Sequence, residues 1–90
     1  MIDKIKKILQ DFQILITDEW NQKSKLTGLN IYYIVFELCN NTYCISYDSL
    51  SFVFSKDEMT HLKFIYIGSN LKDLKESIKR VVQNEKQNIQ

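Results

Sequence analysis

The apolar residues of this chain change their period twice, and that change constrains the fold more than any other feature. At the start they fall at Ile2, Ile5, Ile8, Leu9, Phe12, Leu15 and Ile16. Steps of three and four place them on one face of a helix. Asp3 and Lys7 stand four apart in the order that supports a helix. Trp20 extends the stripe by one turn, so the spacing predicts a helix from about residue 2 to about residue 20.

Residues 21–30 are polar, with Lys23, Ser24, Lys25, Thr27 and Gly28, and read as a loop. The period then becomes two. Ile31 to Leu38 and Tyr43 to Tyr47 are rich in β-branched and aromatic residues and read as strands. Asn40-Asn41 between them suits a two-residue hairpin turn, because Asn tolerates positive φ. That turn pairs Phe36 with Ile45 and Leu38 with Tyr43, and it keeps the large residues on one face. Leu50 to Phe54 and Leu62 to Ile67 are the third and fourth strands, with Phe54 opposite Leu62 and Phe52 opposite Phe64.

The helical period returns at Leu71, Leu74, Ile78, Val81 and Val82, behind Asn70 as a good N-cap. This second helix is expected over residues 71–84, with 85–90 a frayed tail. The whole is a single α+β domain over residues 1–90. An N-terminal helix, a four-stranded antiparallel sheet in meander order and a C-terminal helix make a two-layer sandwich. Both helix stripes are expected to cover Ile34, Phe36, Ile45, Phe52 and Phe64. The other sheet face then carries Ile31, Tyr33, Val35, Val53, Ile65 and Ile67, beside Lys63. A wet face should be mostly polar, and this one is half apolar. It is the candidate partner or dimer face, unless the two helices take one face each.

Composition narrows the function classes. Twelve Lys and Arg against eleven Asp and Glu leave a formal net charge of +1, which argues against a strongly basic nucleic-acid binder. There is no Ala, no Pro and a single Arg, whereas Ile, Lys, Asn and Tyr abound. Their codons imply an AT-rich gene. The N-terminus soon becomes charged, and Gln10, Asp11 and Gln13 interrupt its apolar run, so it is not a signal-peptide core. No segment approaches the roughly 20 apolar residues of a membrane span. A cytoplasmic location is expected.

Chemistry is sparse. His61 is the only histidine and has no neighbouring base or nucleophile pattern, so no catalytic residue is assigned. Cys39 and Cys44 cannot build a four-ligand zinc site with one His, and they read as free thiols facing the same side of the hairpin. Two isolated glycines make no phosphate loop. No enzyme, cofactor or metal is expected. Lys72, Lys75, Lys79 and Arg80 on the last helix are the candidate phosphate contacts, with Asp73 and Glu76 among them.

That order of helix, sheet and lysine-bearing helix is similar to double-stranded-RNA-binding domains between Gly68 and Lys79. Leu74, Ser77, Ile78, Val81 and Val82 replace the small-residue run of that family, and four strands stand where it has three. In size, layout and composition the whole chain resembles the small inhibitors that phages and mobile elements carry against host defences, the anti-CRISPR group among them. That resemblance implies a non-enzymatic protein that binds and blocks a nucleic-acid-handling host complex. The alternatives are a small nucleic-acid-binding domain using the basic helix, and a homo-oligomeric accessory protein such as a homodimer.

Overall fold

In the computed structural model, which describes residues 1–87, a short helix leads into five strands and a long helix. They are α1 (Ile2–Asp11), β1 (Ile16–Lys23), β2 (Asn30–Leu38), β3 (Asn41–Tyr47), β4 (Phe52–Asp57), β5 (Leu62–Gly68) and α2 (Leu71–Gln87). The strands form one antiparallel sheet in the order β1-β2-β3-β4-β5. The α+β meander stands, with five strands in place of four. Among the described residues no helix is long and apolar enough to cross a membrane.

The extra strand arises because the first helix stops early. Gln13 adopts φ 61°, its N–H donates to the Gln10 carbonyl, and the Ile14 N–H donates to the Leu9 carbonyl. This is a Schellman end, and its usual apolar contact is available because Leu9 and Ile14 are both buried. The helix therefore ends before the expected stretch to residue 20, and Leu15 is left exposed. Residues 16–23 pair with β2, so the loop expected over 21–30 shrinks to 24–29. A shift of register between Ile16 and Asp18 turns Ile16 towards the core and leaves Trp20 beside Tyr33. Their four-residue spacing imitated a helix step.

The β2–β3 turn is Cys39-Asn40, with φ 50° and 69°, as a type I′ turn requires. It lies one residue before the expected Asn40-Asn41. Phe36 thus faces Tyr43 and Ile34 faces Ile45, a two-residue slide of the expected pairing. A slide of two preserves the face, so Ile45 is buried as its pattern demands. Cys39 lies in the turn with its thiol 3.8 Å from the Glu85 carbonyl, whereas Cys44 pairs with Val35 on the far face. The two free thiols do not share a side.

The fourth strand pair departs furthest from expectation. Asp48 closes the preceding turn by accepting from the Leu50 and Ser51 N–H groups, so β4 begins at Phe52. A bulge in β5 then sets Phe54 opposite Tyr66 and Ser55 opposite Phe64. Both Ile65 and Tyr66 pack on the core, and Phe64 is expelled to the other face. The expected pairs Phe54–Leu62 and Phe52–Phe64 do not form.

Both helices pack on the same side of the sheet. Ile5, Ile8 and Leu9 of α1 join Leu74, Ile78 and Val82 of α2 over Ile34, Phe36, Tyr43, Ile45, Phe52 and Phe54. The Phe36, Tyr43 and Phe54 rings lie 5.5–6.1 Å apart, within the range for aromatic contacts. Asn70 caps α2 by accepting from the Lys72 and Asp73 N–H groups. Its last turns do not detach at residue 85: Glu85 and Lys86 belong to α2 and Glu85 is buried. The rest of the expected tail, residues 88–90, lies outside the described residues.

Candidate functional site

Because both helices cover one face, the other face of the sheet is uncovered by the described chain. Strand pairing fixes what it shows. Trp20, Tyr33, Ser46, Val53 and Ile67 are successive partners across all five strands. Asp18, Val35, Cys44, Ser55 and Phe64 form the next row, and Glu37, Thr42, Asp57 and Leu62 the one after. Ile31 lies beyond the first row, opposite Gln22.

The centre of this face is apolar and partly wet. The Trp20 and Tyr33 rings stack with centroids 4.9 Å apart and planes 14° apart. Phe64 is 59% exposed and Ile67 is 62% exposed. Val35, Cys44 and Val53 are half-buried between them. Burial pushes the Cys44 thiol above its ordinary pKa, because the thiolate would lose water. Of the residues assigned from sequence, Ile31, Tyr33, Val35, Val53 and Ile67 lie here. Ile65 does not, because the bulge turns it to the helices. Trp20, Phe64 and Leu62 take part and were missed: a strand read as helix hid the first, and the bulge hid the others.

The strand charges of the open face are of one sign, whereas the helix side carries both. The charged strand residues of the open face are Asp18, Glu37 and Asp57, all acidic. Lys63 is not on the patch. It pairs with Lys56 in the row that runs through buried Phe36 and Tyr43, on the helix side. Lys6 of α1 also lies on that side and bonds Glu19 at 2.8 Å, which raises the lysine pKa.

The four candidate phosphate contacts on α2 are not one cluster. Lys72, Lys75 and Lys79 are exposed and interleaved with Asp73 and Glu76. Arg80 instead lines a groove of about 520 Å³ between α2 and the sheet, with Lys56 and Lys63. At its base Glu85 accepts from the Tyr43 hydroxyl at 2.8 Å and from Asn41 Nδ2 at 3.2 Å. Burial, and secondly the bond to Glu85, push the Tyr43 hydroxyl far above its ordinary pKa. No sequence pattern could show this set, since Asn41 and Tyr43 lie more than forty residues from Glu85.

His61 is exposed in the β4–β5 turn, with Thr60 Oγ1 at 3.1 Å and Glu58 at 3.9 Å. Among the described residues no group of three or more His, Cys, Asp or Glu is placed to hold a metal ion. No family model matches the chain, and neither a curated protein nor a solved structure matches it.

Proposed function

We propose that the chain is a non-enzymatic protein-binding inhibitor that docks through its open sheet face. The observation that carries this reading is the acid-rimmed apolar face opposite the helices. Apolar anchors such as Trp20, Phe64 and Ile67 supply the area that drives association. Asp18, Glu37 and Asp57 select the partner, because a rim of one sign favours its opposite. The occupant is therefore a protein surface with an apolar centre and a Lys/Arg rim. A second copy fits less well, since its rim would set carboxylates against carboxylates.

Proteins that hold nucleic acid present such basic surfaces. Carboxylates docked there compete with phosphates, and competition blocks a nucleic-acid-handling complex without chemistry. An anti-defence inhibitor of the anti-CRISPR kind is the setting this chemistry supports, together with the AT-rich composition.

The test is site-specific photo-cross-linking followed by a blocking assay. A photo-reactive phenylalanine at Ile67 should link to a basic segment of the host protein, and the same probe at Lys75 should not. The triple change Asp18→Lys, Glu37→Lys, Asp57→Lys should abolish both the link and the block of that protein's nucleic-acid binding. Cross-links between copies of this chain, or blocking that survives the triple change, overturn the reading.

A further inference from the structure

We propose that the groove between α2 and the β4–β5 corner binds a ligand carrying a terminal phosphate; it lies on the helix side of the sheet, and of its lining only Phe64 also belongs to the docking face. Lys56 and Lys63 are direct partners in the β4–β5 ladder and line the same groove. Like charges directly opposed on one face oppose strand pairing. Helix α2 adds Arg80 to the same groove. Among the described residues none of the three has a carboxylate oxygen within 4.0 Å. Arg80 does not turn back to Glu76, the i,i+4 partner that a surface helix would offer it.

The one carboxylate in the lining, Glu85, is already occupied by Tyr43 and Asn41. Three cations and one carboxylate leave the lining with a net charge of +2. A phosphomonoester near neutral pH carries about −1.5 to −2, so it balances that charge. The guanidinium can grip two phosphate oxygens at once, and the lysines add point charges. Asn84 brings a further polar group, whereas the Ser77 hydroxyl already donates to the Asp73 carbonyl at 2.9 Å. The volume exceeds what a bare phosphate fills and lies in the range of small-molecule sites, so the phosphate carries an organic group. The lysine pair is thus a local cost to the sheet that a bound dianion removes.

The test is calorimetric titration of the full chain with a nucleoside 5′-monophosphate at constant ionic strength. Saturable binding is expected. Lys56→Gln, Lys63→Gln and Arg80→Gln should each weaken it about tenfold or more, as loss of a charge-assisted contact does. Lys75→Gln, on the outer surface of α2, should leave it within about twofold. Without ligand, Lys56→Gln and Lys63→Gln should unfold at the same temperature as the wild type or higher, because a repulsion is relieved. A merely structural role for these lysines would lower it. The proposal is overturned if no binding saturates by about 10 mM. It is equally overturned if Lys75→Gln weakens binding as much as Lys63→Gln. Binding of an oligonucleotide without a terminal phosphate as tightly as the monophosphate also overturns it, since that would mark a backbone diester contact.

Discussion

Removing one oxygen atom from the core should cost this protein a measurable share of its stability. Tyr43 lies in β3 with 2% of its surface exposed, and its hydroxyl donates to Glu85 at 2.8 Å. Glu85 sits near the C-terminal end of α2, where the helix dipole disfavours a carboxylate. Its burial there depends on its donors. Tyr43→Phe keeps the ring against Phe36 and Phe54 and removes only the hydroxyl, so the packing term is unchanged. A hydrogen bond to a charged group contributes about 1.5–3 kcal/mol. Asn41 stays within 3.2 Å of both carboxylate oxygens. The retained donor sets the loss in the lower part of that range, about 2 kcal/mol. At roughly 4–8 °C per kcal/mol for a domain of this size, Tm should fall by about 8–16 °C.

The pH dependence supplies a second readout. The Tyr43 hydroxyl is raised above its ordinary value of 10.0, chiefly by burial. Its contribution is therefore fully present below about pH 10. Above that pH the unfolded chain releases the proton that the folded chain keeps, and stability declines as pH rises. Thermal unfolding followed by circular dichroism between neutral pH and about pH 11 should show a steeper alkaline decline in the wild type than in Tyr43→Phe. A variant within about 2 °C of wild type at neutral pH, or an equally steep alkaline decline, would refute the reasoning.

Gln13→Gly should stabilise the chain by about 0.5–1 kcal/mol, because the left-handed cap position strains any residue with a Cβ; urea unfolding gives the value, and a loss of stability would count against the cap. At neutral pH a maleimide should label Cys39 well before Cys44, since Cys39 is exposed and burial keeps the Cys44 thiol protonated. Peptide mass spectrometry reads the order, and equal rates would contradict the placement of Cys44. Bound partner should slow Cys44 further and leave Cys39 accessible.

Much of this fold is legible in the residues alone. The alternation of Ile34 and Phe36, and of Tyr43 and Ile45, marks the buried face, and that survives a slide of the pairing by two. Asn70 declares the start of α2. What stays hidden is local backbone chemistry that side-chain periodicity does not encode. Gln13 takes a left-handed conformation that glycine would have advertised. The shift at Thr17 lets Ile16 and Trp20 face opposite sides at helical spacing. The bulge in β5 exchanges Ile65 for Phe64 on the open face, and with it moves Lys63 to the helices. The groove of Lys56, Lys63 and Arg80 depends on that same register, so it emerges only once the strands are paired. Most of the candidate face was visible as half-apolar strands, but its uniform acidic sign was not.

The open face carries the only tryptophan of the chain, so one resonance reports on it. With 5-fluorotryptophan at position 20, the fluorine NMR spectrum should show a single line. Dilution of the chain alone from high micromolar concentration should leave that line unmoved. Addition of the cross-linked host protein should shift or broaden it, and Glu37→Lys should suppress the change. A line that moves on dilution would mean that a second copy covers the face, and an unmoved line in a complex known to have formed would place the docking surface elsewhere.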